Sequence, residues 1–127
     1  MILLYRIEGI YMKSIEELTK IVQEFCEARD WDQYHNPKDL AIGLSTESNE
    51  LLDIFRFKSE EQMKQILNSN KKEHVEEEIA DIFFFVLRFA QMNHIQLDEI
   101  LLKKIEKNNK KYPVDKVKGR NEKYNEL

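Results

Sequence analysis

Four acidic residues, arranged as two pairs with the same spacing, are the part of this 127-residue sequence best suited to chemistry. Glu47 and Glu50 are three residues apart, and so are Glu78 and Asp81. On an α-helix this spacing places both carboxylates of a pair on neighbouring turns of one face. Carboxylates that converge inside a protein are unfavourable unless a cation compensates them. Hard oxygen ligands without a cluster of imidazole or thiolate ligands favour Mg²⁺, with Mn²⁺ as a substitute.

The helical phase of these acids separates a metal site from ordinary surface glutamates. Successive residues advance by about 100° around a helix. This rotation places Glu47 inside the apolar stripe that contains Leu40, and Glu78 inside the stripe that contains Phe89. One acid of each pair is therefore expected to face the core. The alternative is that both pairs are solvated, or that each buried acid pairs with a core cation such as Arg88.

Five helices are predicted to position the acids. Capping boxes occur at Ser14-Ile-Glu-Glu17 and Ser59-Glu-Glu-Gln62, and Asn36 before a proline is a third helix start. Apolar residues at helical spacing follow each start. The predicted helices run over about 14–29, 37–55, a short stretch from 59, 72–92, and a last stretch that is capped by Asp98 and ends before Tyr112-Pro113. We expect an all-α fold, an antiparallel four-helix bundle with one additional short helix.

Composition limits the classes of function. Three glycines and two prolines are too few for the turns of a sandwich or barrel. A net charge of −4, with acids and bases interleaved, argues against binding a nucleic-acid polymer or an anionic membrane. The single cysteine, Cys26, reads as a small buried hydrophobe in a reducing, cytoplasmic setting. We divide the chain into an N-terminal extension (1–12) too short to span a bilayer, a helical domain (13–113) and a polar C-terminal tail (114–127).

The acidic pairs lie within a wider pattern that resembles a known family. Four segments carry the pattern in order: RDWDQYHNPKDL at 29–40, ELLDIF at 50–55, EIADI at 78–82 and KNNKKYP at 107–113. Together they resemble the MazG-like, all-α nucleoside triphosphate pyrophosphatase superfamily, and the dCTP pyrophosphatase branch in particular. The resemblance spans about residues 14 to 124.

The resemblance implies a reaction and an assembly. Members of the family hold Mg²⁺ with the two acidic pairs and hydrolyse a nucleoside triphosphate to the monophosphate and pyrophosphate, which cleans the nucleotide pool. Here the metal ligands would be Glu47, Glu50, Glu78 and Asp81, and Glu47 would also be the catalytic base. The family also implies a homo-oligomer, a dimer or a tetramer of tight dimers, in which neighbouring chains complete each pocket.

The resemblance also implies contacts to the nucleotide. The residues concerned are Trp31, Phe57, Phe85 and Asn108, with Lys104, Lys111 and Tyr112 near the phosphates. Phe85 stands where the dCTP branch tends to carry tyrosine. Each has a structural alternative: Trp31 can anchor a helix end, and lysines in a last helical turn are expected from the helix dipole. The histidines His35, His74 and His94 read as loop or surface residues.

Two further functions remain compatible with the sequence. A related all-α pyrophosphohydrolase could act on another nucleotide, such as dUTP or phosphoribosyl-ATP. From a different class, the chain could be a non-catalytic helical module that binds a nucleotide or a partner protein and retains the acidic cluster without turnover.

Overall fold

The computed structural model describes residues 12–126, with the exception of the side chain of Tyr124. The predicted extension over 1–12 therefore lies outside the described residues, apart from Met12. The described residues contain helices and no β-strand, which confirms the all-α prediction. The helices are α1 (Ile15–Ala28), α2 (Pro37–Phe55), α3 (Glu60–Leu67), α4 (Lys72–Met92), α5 (Leu97–Lys111) and α6 (Val114–Val117), followed by a 3₁₀ turn (Tyr124–Glu126). Within this part of the chain no helix has both the length and the apolarity needed to span a bilayer.

Side-chain caps fix the starts of the first three helices. The Ser14 hydroxyl accepts a hydrogen bond from the Glu17 amide at 3.0 Å, and the Glu17 carboxylate accepts one from the Ser14 amide at 2.8 Å. Ser59 and Gln62 form the same reciprocal box at the start of α3. Asn36 caps α2 through the Asp39 amide, with a proline at the first helical position. Each of these caps satisfies backbone donors that the helix itself leaves unpaired, and the predicted starts are confirmed.

The C-terminal third differs from the sequence prediction in two places. Asp98 was expected to cap the last long helix, but α5 has Gln96 at its N-cap and already includes Asp98 in its first turn. The prediction of the cap was wrong because aspartate is favoured both at the N-cap and in the first turn, where the helix dipole stabilises an acid. The sequence alone therefore does not distinguish these two positions. Beyond Pro113, where only a polar tail was expected, the chain forms the short helix α6.

The chain divides into two compact units at the boundary between His94 and Ile95. In the first unit α4 packs against α1, α2 and α3, and its contact with α2 is the most extensive. This central position is consistent with the apolar stripe of α4, the stripe that contains Phe89. The buried apolar residues are Cys26, Leu40, Ile66, Leu87 and Ala90, so the expected burial of Cys26 is confirmed. The second unit contains α5 and α6. The four-helix bundle arrangement stays a prediction.

Candidate metal centre

The packing of α2 against α4 brings the two acidic pairs together. One carboxylate oxygen from each of Glu47, Glu50 and Glu78 lies within 4.8 Å of the others. Glu78 is buried, with 6% of its surface exposed, whereas Glu47 is half-buried and Glu50 is exposed. The exposed Asp81 is close enough for its charge to act on Glu47. Three of the four predicted ligands therefore form one cluster, and the fourth lies beside it.

Two oxygens of this cluster are buried without a hydrogen-bond partner. They are Oε2 of Glu47 and Oε2 of Glu78, and no donor in the described part of the chain reaches either of them. An unsatisfied buried polar atom costs about 1–3 kcal/mol, and more when it is charged. A divalent cation held by these residues would remove that cost and also reduce the repulsion between the acids. The donor set is all carboxylate oxygen, which fits Mg²⁺ or Mn²⁺.

Electrostatics at Glu47 reflect the same crowding. The pKa of Glu47 is raised from 4.5 to about 7, mainly because burial penalises the charged carboxylate. Hydrogen-bonding contact with the Glu78 carboxyl and the negative charges of Glu50 and Asp81 raise the pKa further. In the absence of a cation the cluster thus favours taking up a proton at Glu47. Because a proton or a cation is needed to offset the desolvation and mutual repulsion of these carboxylates, the site is suited to a metal ion.

The core arginine considered as an alternative partner has other contacts. Arg88 is 1% exposed, and its Nε donates to His35 Nδ1 at 2.9 Å while Nη1 donates to Gln91 Oε1 at 2.7 Å. Its Nη2 donates to the Asp32 carboxylate. Burial and the charge of Arg88 lower the pKa of His35, which keeps the imidazole neutral and able to accept. Arg88 therefore ties the loop between α1 and α2 to α4, and the interpretation in which it neutralises the buried acids is wrong.

A histidine that the sequence analysis treated as a surface residue contacts the acidic cluster. Nε2 of His74 lies 3.1 Å from Oε1 of Glu78, four residues further along α4. The His74 side chain is 61% exposed, whereas that of Glu78 is 8% exposed. The signal that could have found this contact is the i, i+4 spacing, which places the two side chains on neighbouring turns of one helix face. Metal-ligand spacing among the histidines does not reveal this contact, because the partner of His74 is a carboxylate.

A cleft of about 510 Å³ between α2, α3 and α4 opens next to the cluster. Its walls include Glu50 and Glu78 from the cluster, together with His74, Lys58 and Lys71. The volume lies in the range of small-molecule sites, about 300–1,000 Å³. Lys58 and Lys71 were not predicted as site residues, because they come from the segments on either side of α3, and only the packing of that short helix brings them to the cleft.

The predicted aromatic contacts of the first unit differ in their surroundings. Trp31 is 36% exposed and makes an edge contact with Phe25, with ring centroids 5.6 Å apart. Phe57 is 90% exposed and adopts a φ of 63°, a left-handed conformation that is uncommon outside glycine. The half-buried Phe85 ring lies directly against Gly43 of α2. Trp31 thus has the anchoring contact of its structural alternative while part of its surface stays exposed, and the nucleotide contacts remain predictions.

The remaining predicted substrate contacts belong to the second unit. Lys104 and Lys111 are exposed, and Asn108 and Tyr112 are half-buried. The Tyr112 amide donates to the Asn108 carbonyl at 2.8 Å at the end of α5. This hydrogen bond joins backbone atoms and belongs to the helix terminus, and the contacts of the Asn108 and Tyr112 side chains with a nucleotide stay predicted.

Comparison with known proteins gives consistent matches. The model of the MazG-like family matches residues 42–127. The dCTP pyrophosphatase 1 of Rattus norvegicus is 30% identical over 115 residues, which are 90% of this chain and 68% of that protein. The Homo sapiens protein of the same name is 28% identical over the same shares. A crystal structure of a pyrophosphatase from Archaeoglobus fulgidus matches with a TM-score of 0.73 and 39% identity, covering 85% of this chain and 99% of that one.

Proposed function

Because this chain belongs to the MazG-like family and is a nucleoside triphosphate pyrophosphohydrolase, we propose that it cleaves a pyrimidine deoxynucleoside triphosphate, dCTP or a modified relative. The products are the nucleoside monophosphate and pyrophosphate, and the role is to clear unwanted nucleotides from the pool. The base assignment follows the relatives named dCTP pyrophosphatase 1. We propose Mg²⁺ as the metal, with Mn²⁺ as a substitute.

The observation that carries the proposal is the pair of buried Oε2 atoms of Glu47 and Glu78, which have no donor in the described residues. Glu47, Glu50, Glu78 and Asp81 would hold the ion. When bound, the ion supplies neutralisation of the phosphate charge and acidification of water. A triphosphate is a polyanion, so a cluster of carboxylates can approach it only through such a cation.

The reaction assigns one proton transfer to the chain itself. Water adds to the α-phosphorus as the bond from that phosphorus to the α,β-bridging oxygen breaks, and pyrophosphate leaves with the electron pair of that bond. A carboxylate of the cluster takes the proton from water, and Glu47 suits this role because its Oε2 has no competing donor. We assign Trp31, Phe57, Phe85 and Asn108 to the nucleoside, and Lys104, Lys111 and Tyr112 to the phosphates.

The test is a product analysis with isotope tracing. Incubation with Mg²⁺ and dCTP, dUTP, 5-methyl-dCTP or phosphoribosyl-ATP in ¹⁸O-water should give monophosphate and pyrophosphate from a pyrimidine deoxynucleotide. The ¹⁸O is expected in the monophosphate, because water adds to the α-phosphorus. Orthophosphate with a nucleoside diphosphate would contradict the cleavage position, and a clear preference for phosphoribosyl-ATP would contradict the substrate class.

The variant Glu47→Gln tests the site independently of the substrate. We expect turnover to fall at least about 100-fold, since both a metal ligand and the base are lost, while the helical circular dichroism is retained. Glu76→Gln is the matched control, because Glu76 is an exposed acid on α4. Equal turnover in the two variants would show that the acidic cluster is not the reactive centre.

A further inference from the structure

The carboxylate of Glu78 has two oxygens in different situations, and the difference is set by His74. Oε1 lies 3.1 Å from Nε2 of His74, whereas Oε2 is buried and has no partner in the described part of the chain. A carboxylate that binds a metal ion is ionised and only accepts hydrogen bonds, so with Glu78 as a ligand Nε2 would carry the hydrogen and donate it. That requirement is met by the imidazolium and by one neutral tautomer, and the contact therefore does not depend on the charge of His74.

The position of His74 is fixed by the helix that also carries Glu78. The two residues are one turn apart near the start of α4, the helix that packs against three others. The ring stands in the wall of the cleft, between the segment that carries Lys71 and the cluster. From there Nε2 reaches Oε1 of a carboxylate that is itself buried, with 8% of the Glu78 side chain exposed.

We propose that His74 is a positioning residue that makes Glu78 a ligand through Oε2 alone and thereby favours Mg²⁺ or Mn²⁺ over Ca²⁺. The inference rests on the proposed function in one respect, since it takes Glu78 as a metal ligand. Mg²⁺ requires nearly octahedral coordination with short bonds, which single carboxylate oxygens supply. Ca²⁺ accepts more oxygens at longer distance and often takes both oxygens of one carboxylate. A hydrogen bond from His74 to Oε1 makes this second oxygen of Glu78 unavailable for coordinating the cation.

The same hydrogen bond holds the carboxylate in orientation. Partners behind a metal ligand fix its rotamer, and their loss typically reduces metal affinity by about 10- to 100-fold. Without His74 the Glu78 carboxylate can rotate about its terminal bond and present both oxygens. Affinity for Mg²⁺ then falls because the rotamer is no longer held, while affinity for Ca²⁺ is kept or increased because a second oxygen becomes available.

Three variants of the full chain separate this role from a general structural one. His74→Gln keeps an amide donor near the position of Nε2, whereas His74→Asn is too short to reach Oε1. His94→Asn is the matched control, since His94 is an exposed histidine just after α4 whose φ of 55° suits asparagine. Circular dichroism and thermal melting verify that each variant is folded before any titration.

The measurement is titration of the metal-free proteins with Mg²⁺, Mn²⁺ and Ca²⁺ by calorimetry, with Mn²⁺ also followed by electron paramagnetic resonance. For His74→Asn we expect Mg²⁺ and Mn²⁺ affinity to fall about 10-fold, and the ratio of Ca²⁺ to Mg²⁺ affinity to rise at least as much. His74→Gln and His94→Asn should remain within about threefold of the unmodified chain.

Several outcomes would overturn the proposal. Unchanged Mg²⁺ affinity in His74→Asn would do so, and so would an equal fall for Mg²⁺ and Ca²⁺, because the selectivity is the specific claim. A loss in His74→Gln equal to that in His74→Asn would show that the donor is not what matters. If the unmodified chain hydrolyses its nucleotide but the His74 variants bind each ion with the same affinity as the unmodified chain, only this inference fails. If the chains bind the ions as predicted but the unmodified chain releases no pyrophosphate, only the proposed reaction fails.

Discussion

Glu47 shows most clearly the effect of bringing several carboxylates together at a partly buried position without a cation. Its pKa of about 7 lies above the ordinary 4.5 because the folded chain binds the proton more tightly than the unfolded chain does. The free energy of unfolding of the metal-free protein therefore receives its full contribution from this group below pH 4.5. The contribution is lost as the pH rises through 7, where the folded state must hold a charge that it disfavours.

We expect the melting temperature of the metal-free protein, held in chelator, to fall by about 3–6 °C between pH 5 and pH 7.5 through this group. Glu47→Gln should flatten that part of the profile, because the amide does not titrate. Saturating Mg²⁺ should also flatten it, since the ion compensates the ionised carboxylate. A profile in which the parent and Glu47→Gln fall in parallel would mean that other groups cause the pH dependence.

The acidic residues of the site were predictable, whereas their neighbours were only partly so. Glu47 and Glu78 stand out in the sequence because they occupy apolar positions of a helical stripe, which is a local pattern. The contact between His74 and Glu78 is local too and was available from spacing. The pairing of Arg88 with Asp32 joins residues 56 positions apart. No periodicity records such a contact, because it depends on how the loop after α1 folds onto α4.

At the scale of elements, helix boundaries were predictable from a capping side chain or from an unbroken apolar stripe. The bounds of α2 and α4, Pro37–Phe55 and Lys72–Met92, are those expected from the sequence. Asn36 caps α2, whereas α4 has no side-chain cap and its bounds follow its apolar stripe. At the start of α5 Gln96 makes no side-chain cap, and Asp98 in the first turn resembles a cap in the sequence. How closely two helices approach was also not predictable, since it is set by a single position on α2.

That position is Gly43, which lets α2 lie against the ring of Phe85. A Cβ at residue 43 would lie 2.5 Å from two ring carbons, and Phe85 is held in place by an edge contact with Phe84, with centroids 5.5 Å apart. We expect Gly43→Ala to destabilise the protein by about 1–2 kcal/mol despite the better helix propensity of alanine. The measurement is the free energy of unfolding by urea denaturation.

A double-variant cycle separates the steric contact from helix propensity. In a Phe85→Ala background the ring is gone, and Gly43→Ala should stabilise the protein by up to about 1 kcal/mol, as expected for a helix interior. The change of sign is the prediction. Destabilisation of similar size in both backgrounds would place the cause elsewhere on α2.

At the scale of the whole molecule, large apolar side chains remain exposed on the two helices that carry the acids. Ile42 and Leu52 on α2 are 55% and 58% exposed, and Ile79 and Phe83 on α4 are 49% and 39% exposed. Exposed apolar surface of this kind is typical of an interface between proteins. It supports the prediction of a homo-oligomer in which neighbouring chains cover these faces.

We expect light scattering after size exclusion to give the mass of a dimer or tetramer at micromolar concentration. Phe83→Lys should shift the mass towards the monomer, because a charge buried at an interface is strongly unfavourable without a partner. Ser45→Lys, at an exposed polar position on α2, adds the same charge and should leave the mass unchanged. If each pocket is completed by a neighbouring chain, turnover of Phe83→Lys should fall in step with the loss of assembly; full turnover by its monomer would instead place every essential residue in one chain.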